Sequence, residues 1–169
     1  MKVFGYGSLV NRRTQSFGGE ATTLAGWQRV WVTTKVRPAA YLSVMPGDGS
    51  IEGLAFHVPV ADRADLDKRE AQYVKLSEGD MTIYSVPEDS FAEGQAPILQ
   101  SYLDVVLQGF LAEFGEAGLE DFMATTHGWE RGIRDDRAAP IYPRAQTLTS
   151  DERAMFDALL ASVPVVEKL

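Results

Sequence analysis

Gly5-Tyr6-Gly7-Ser8-Leu9 follows directly on the apolar pair Val3-Phe4, so a short strand runs into a tight loop. Two glycines flanking a tyrosine allow positive φ and a close approach of backbone to ligand, and Ser8 and Leu9 can then aim their N–H groups at one point. Such a cradle suits a small anion or a carboxylate. The same glycines also suit a plain turn after an edge strand. Sharper readings fail on spacing. The third glycine of a dinucleotide fingerprint falls on Val10, and no Lys-Ser or Lys-Thr pair follows to make a phosphate loop. A nucleophile elbow has glycines two before and two after its serine, where this chain has Tyr6 and Val10. The loop is better suited to binding than to attack.

The remaining reactive residue types are sparse. Without cysteine there are no disulfides, no thiolate nucleophile and no Cys-ligated metal. His57 and His127 stand far apart with no carboxylate at motif spacing from either, so no metal or triad site is expected. Sixteen Lys and Arg against 24 Asp and Glu give a net charge of −8 without a basic stripe, which argues against nucleic acid and anionic membrane as partners. No charged leader with a long apolar run is evident, and no apolar run is long enough for a bilayer, so the expected setting is the cytoplasm. At 169 residues and 45% hydrophobic, residues 1–169 are expected to form one domain without a linker.

Around the loop the chain reads as strands first and helices second. Residues 21–24 suggest a short strand, and Gly26-Trp27-Gln28-Arg29-Val30-Trp31-Val32-Thr33-Thr34 has the period-two pattern of a half-buried one, aromatic or β-branched residues alternating with polar ones and Trp27 and Trp31 in the core. Residues 40–45 and 51–58 are apolar runs divided by Pro46-Gly47-Asp48-Gly49-Ser50, the pattern of a hairpin with a five-residue turn. Asp62 is placed to N-cap a helix over residues 63–71, where Leu66 and Glu70 share the inner face and Asp65, Asp67, Lys68 and Arg69 take the solvated side. Residues 73–76 and 81–86 make two more strands of a meander, joined across Glu78-Gly79-Asp80. Pro97 opens a helix through residue 114 and a shorter one covers residues 119–126. Residues 129–144 are rich in charge and proline, and residues 135–144 look extended rather than helical, suited to lie across the face of the barrel. Thr149 and Glu152 form a capping box for a last helix through about Ala161. The expected fold is α+β: a small curled, mainly antiparallel β-sheet or barrel flanked by helices.

With these pieces in place, the chain resembles the γ-glutamylcyclotransferase-like family. Phe4-Gly5-Tyr6-Gly7-Ser8-Leu9 looks like that family's Tyr-Gly-Ser-Leu binding loop. Gly53 opens the strand before the catalytic helix, and Leu66-Asp67-Lys68-Arg69-Glu70-Ala71-Gln72-Tyr73 looks like its Leu-Asp-x-x-Glu…Tyr segment. Tyr102 begins a helix where the family often has a site tyrosine. The likeness runs in order over residues 1–115, and residues 129–144 match nothing functional.

The resemblance implies a lyase-type reaction in which the α-amine of a γ-glutamyl compound attacks its own γ-carbonyl, forming 5-oxoproline and expelling the attached amine or amino acid. The substrate supplies the nucleophile, so no cofactor is implied. Glu70 would be the general acid and base, its pKa raised by partial burial. The amides of Gly7, Ser8 and Leu9 would hold the α-carboxylate, Tyr6 would line the pocket, and Tyr73 and Tyr102 would donate hydrogen bonds to substrate oxygens. Arg37 is a further cation that suits a carboxylate or a surface loop equally. Two alternatives stay open: a catalytically silent module sensing a small carboxylate, and an acyltransferase passing the γ-glutamyl group to another amine. Arg131, Arg134, Arg137 and Arg144 favour an acidic leaving group and Asp135 and Asp136 an amine, so the leaving group is unassigned, as is the oligomeric state.

Overall fold

The computed structural model describes residues 1–36 and 38–168. In chain order its elements are β1 (Lys2–Gly5), β2 (Glu20–Val32), β3 (Tyr41–His57), α1 (Arg63–Arg69), β4 (Val74–Glu78), β5 (Met81–Ser85), β6 (Ile98–Leu99), α2 (Gln100–Ala124), β7 (Thr126–His127), β8 (Ile133–Asp135), α3 (Ser150–Leu159) and β9 (Val165–Lys168), with short 3₁₀ turns between them. The architecture is α+β. A six-stranded sheet has the order β4-β5-β1-β3-β2-β7, and a second sheet has the order β6-β8-β9.

β1 is buried from Val3 onward, as befits a strand with neighbours on both sides. It lies antiparallel to β3 and parallel to β5, so the expected meander is interrupted: the first strand is inserted in the middle of the sheet. The β2–β3 and β4–β5 pairs are antiparallel and the β2–β7 pair is parallel. The two edges, β4 and β7, are not joined among the described residues, so the sheet is open and not a barrel.

The expected hairpin over Pro46-Gly47-Asp48-Gly49-Ser50 does not form. β3 runs straight through it for 17 residues, because β2 offers a 13-residue partner along almost its whole length. Residues 21–24 and 26–34, likewise expected as two pieces, are one strand that ends at Val32, and Gly26 (φ +82°) stands where its register with β3 shifts, the extra residues 47–49 lying on β3. Pro46 pairs opposite Trp27 just past this irregularity, where a missing N–H is tolerated. Gly53 does not open a strand either. It lies inside β3, where a Cβ would fall 2.3 Å from the Gly5 carbonyl oxygen.

Asp62 stands at the N-cap position of α1, but its side chain makes no capping bond, and it ends a 3₁₀ turn instead. The helix expected from Pro97 begins at Gln100, since Ile98 and Leu99 are drawn into pairing with β8. Its break falls at Gly115 (φ +70°), between the two helical stretches expected there. α3 starts on the expected capping box: Glu152 N donates to Thr149 Oγ1 at 3.1 Å and Thr149 N to Glu152 Oε2 at 2.7 Å.

The core lies between the sheet and α2. Residues 103–110 of that helix are buried on every side, the mark of a helix enclosed by other elements. Trp31, Phe110 and Phe122 meet there, each fully excluded from solvent. No helix among the described residues is long and apolar enough to cross a membrane.

Candidate functional site

The loop after β1 is drawn tight against α2. A Cβ on Gly5 would lie 2.7 Å from Leu9 Cβ, and one on Gly7 would lie 3.0 Å from the Tyr102 hydroxyl. Close approach, not positive φ, is what these glycines permit, since neither has φ above zero. Residues 8–10 then form a 3₁₀ turn, closed by Val10 N on Gly7 O (2.9 Å) and Asn11 N on Ser8 O (3.2 Å). The Ser8 and Leu9 amides precede those bonds, at the turn's N-terminal end, where such groups point outward. Ser8's amide donates to the Tyr102 hydroxyl oxygen.

Two buried polar residues fix the loop from behind. Asn11 donates to Val105 O (2.9 Å) and Gln108 Oε1 (3.1 Å) on α2. Arg29 is fully buried, with its guanidinium over the neighbouring Phe110 and Phe122 rings, and donates to Tyr6 O, Glu52 O and Thr125 Oγ1. Burial pulls its pKa down to about 10. The strand pattern read Arg29 as one of the polar residues between the core tryptophans. Strand alternation puts residues 27, 29 and 31 on one face, so it lies inward with Trp27 and Trp31; what no local pattern shows is the three core acceptors that satisfy it.

Glu70 ends α1. It is the C-cap rather than a residue on the helix's inner face: its N–H still reaches Leu66 O at 2.9 Å, while its φ and ψ of −98° and 24° turn the chain toward the sheet. Its side chain is 12% exposed. Burial raises the carboxyl above its ordinary pKa, and Arg69 and then Arg144 pull it part of the way back. Arg69, expected on the solvated side, is in fact 9% exposed and binds both halves of the site. Its Nε lies 3.2 Å from Glu70 Oε1, and its other nitrogens donate to Thr14 O (2.6 Å) and Ser8 Oγ (3.1 Å). Arg69 is the last helical residue, three after the buried Leu66, so helical periodicity itself puts it on the inner face.

Tyrosines furnish much of the remaining wall. Tyr6 donates to Tyr84 O at 2.5 Å, Tyr73 to Leu42 O at 3.1 Å, and Tyr84 to Asp67 Oδ1 at 2.9 Å. Tyr102 stacks edge-on against Trp31 and Tyr142, with centroids 5.8 Å and 4.9 Å apart. Burial first, and neighbouring ionisable groups second, raise the hydroxyls of Tyr6, Tyr73 and Tyr102 above their ordinary pKa, so they are neutral hydrogen-bonding groups.

Together these residues enclose a cavity of about 150 Å³, a small-molecule size. Tyr6, Gly7, Ser8, Leu9, Glu70, Tyr73 and Tyr102 all line it, so every site residue expected from the sequence comes to one place. Gln72, Tyr142 and Arg144 line it too, and sequence reasoning had given none of them a site role beyond Arg144's possible part in choosing a leaving group. Of the extended stretch only its end reaches the cavity: Arg131, Arg134 and Arg137 are absent from the wall and tied up elsewhere. Arg37 lies outside the described residues. No group of three or more His, Asp or Glu among the described residues is arranged to hold a metal.

The same arrangement of elements occurs in solved structures. The chain is similar to YkqA from Bacillus subtilis, with a TM-score of 0.53 and 21% identity over 76% of this chain, and spans only 56% of that protein's length. It is similar to an uncharacterised protein from Homo sapiens at TM-score 0.57 and 12% identity, covering 92% of this chain and 97% of the other. It is likewise similar to a γ-glutamyl cyclotransferase at TM-score 0.56 and 12% identity, covering 93% and 98%. The chain has the γ-glutamyl cyclotransferase-like fold. No family model and no curated protein matches its sequence. Within this fold, the resemblance carried by the loop after β1 and the segment around Glu70 rests on residues that meet at a single cavity.

Proposed function

We propose that the chain is a γ-glutamyl cyclotransferase, converting a γ-glutamyl compound to 5-oxoproline and a free amine without a cofactor. The observation that carries this reading is the buried Glu70 carboxyl on the wall of the cavity that also holds the Ser8 and Leu9 amides, the two joined by Arg69. A desolvated carboxyl with a raised pKa is a better proton acceptor than a solvated one, and the fold family's reaction asks for little else.

The γ-glutamyl chain binds bent, with its α-carboxylate on the loop amides, Ser8's contribution passing through the Tyr102 hydroxyl. Tyr73, whose proton is given to Leu42 O, offers its oxygen to the α-ammonium. Glu70 takes a proton from that ammonium, and the freed amine attacks the γ-carbonyl carbon. A nitrogen–carbon bond forms, the carbonyl electrons move onto oxygen, and fixed donors steady the oxyanion. Collapse breaks the bond to the departing nitrogen, which receives its proton from Glu70. Over the cycle the α-nitrogen loses two protons and the departing nitrogen gains two, so Glu70 returns to its starting state. Holding the chain bent supplies much of the rate, because the attack is intramolecular.

The test is 5-oxoproline release by the wild type and Glu70→Gln from a panel of γ-glutamyl amino acids, peptides and amines, with N-acetylated members as blocked controls. Glu70→Gln keeps the shape, so binding survives while turnover falls by about two to four orders of magnitude. Undiminished release by the variant, or release from an N-acetylated member, overturns the mechanism. Silence of the wild type across the panel leaves a carboxylate-binding module in its place.

A further inference from the structure

We propose that Arg144 forms a second carboxylate subsite in this cavity, so that the departing group of the substrate is itself an acid: an amino acid or peptide with a free carboxylate, not a simple amine. The inference rests on the cyclotransferase reading for what departs, and on the cavity wall for what is recognised.

Among the described residues the wall carries one carboxyl, Glu70, and two cations, Arg69 and Arg144. Arg69 is spent on Thr14, Ser8 and Glu70. Arg144 is not: it is half-buried, and none of the described residues gives its guanidinium a hydrogen bond or ion pair. Its sequence neighbours of like charge are all engaged. Arg131 donates to Trp31 O and Thr33 Oγ1, Arg134 pairs with Glu167 at 2.5 Å, and Arg137 holds Asp104 and Asp157. In a chain with 24 Asp and Glu against 16 Lys and Arg, a partly desolvated guanidinium with no hydrogen-bonded partner among the described residues, sharing the field of Glu70 with Arg69, favours a ligand that brings its own anion.

The acids that would select an amine are occupied elsewhere. Asp136 is fully buried and accepts from Ser101 N (2.7 Å), Ser101 Oγ (2.6 Å) and Ile141 N (2.8 Å). Asp135 accepts from Arg137 N at 3.2 Å and faces Lys168 at 3.7 Å. Neither lines the cavity, so a departing ammonium meets no carboxylate there besides the catalytic one.

The backbone carrying Arg144 is fixed. Tyr142 N donates to Ser101 Oγ (3.1 Å), Ala145 N to Tyr142 O (3.0 Å), and Gln146 Nε2 to Arg144 O (3.1 Å). The Tyr142 ring rests on Tyr102. Arg144 also helps to lower the pKa of the buried Glu70 carboxyl, so it acts within electrostatic reach of the reacting end.

The experiment compares γ-glutamyl-alanine with its C-terminal amide, γ-glutamyl-alaninamide, which has the same shape without the second charge. The ratio of kcat/KM for acid over amide is measured in the wild type, Arg144→Gln and Arg144→Lys. The wild type favours the acid by about ten- to a hundredfold, the worth of one charge-assisted pair. Arg144→Gln brings the ratio to near one, and Arg144→Lys restores part of it. A wild-type ratio near one overturns the subsite whether or not the variants fold, as does a ratio unchanged in Arg144→Gln. If no member yields 5-oxoproline, the cyclotransferase reading fails separately, and calorimetric binding of the same two ligands decides the subsite: equal affinities, or no binding of either, overturn it.

Discussion

At Glu70 two effects oppose each other, and the balance between them governs when the residue can act as a base. Burial favours the neutral acid, while Arg69, 3.2 Å away, favours the carboxylate, and burial wins. A base must be deprotonated, so the acidic limb of kcat/KM against pH follows Glu70 and lies above the ordinary glutamate range. Replacing Arg69 with Met removes a cation that stabilises the carboxylate. The Glu70 pKa then rises further and the limb moves to higher pH. The pH profile of Arg69→Met checks this, with a thermal melt to confirm folding because the arginine also holds Thr14 and Ser8. A limb that stays put would mean that Arg69 only positions the loop. Helical spacing from Leu66 puts this arginine on the inner face, but its ties to Ser8 and Thr14, 61 and 55 residues away, were not legible in the sequence.

Between elements, the contact that matters most to the site is the one between α2 and the segment after β1. A Cβ on Gly109 would lie 2.6 Å from Asn11 N, against backbone that cannot swing aside. Gly109→Ala therefore sets two terms against each other. Alanine favours a helix interior by about 1 kcal/mol, and overpacking a tight contact costs about 1–3 kcal/mol. The clash outweighs the propensity, so the variant loses up to about 2 kcal/mol in urea unfolding. It also raises KM, because Asn11 can move only by carrying the 3₁₀ turn of residues 8–10 with it. The same competition between local preference and long-range contact explains the misread hairpin. Pro46-Gly47-Asp48-Gly49 has turn chemistry, and it shows only as a break in register opposite Gly26, because the long β2–β3 pairing on either side satisfies more backbone groups than a chain reversal there would.

On the scale of the whole molecule, the cavity depends on a tie between parts far apart in the chain. Arg137 forks onto both oxygens of Asp104 at 2.7 Å and also binds Asp157, joining α2, α3 and the segment that ends at Arg144. Burial alone would lower its pKa, and the two aspartates raise it above the ordinary arginine value instead. Asp104 is 4% exposed, so Arg137→Met strands a buried carboxylate that keeps only its bond from Gln100 Nε2. Because Arg137 itself is partly open to solvent, the expected loss lies at the low end for a broken buried pair, about 2–3 kcal/mol, measured by urea unfolding at neutral pH. The loss shrinks in an Asp104→Asn background, where no carboxylate is left stranded, and an equal loss in both backgrounds would assign the effect to packing. What the sequence determined by itself was local: the glycine loop after a first strand, the Gly79 turn, the helical stretches on either side of Gly115, and the Thr149–Glu152 cap, all set by neighbours within a few residues. Only the tertiary structure decided that β1 enters the middle of the sheet, which core groups Arg29 satisfies, and that Arg69 and Arg144 share a wall with Glu70. Those placements depend on distant partners, Tyr6 O and Thr125 Oγ1 for Arg29 at 23 and 96 residues and Ser8 for Arg69 at 61, which no pattern within a short window records.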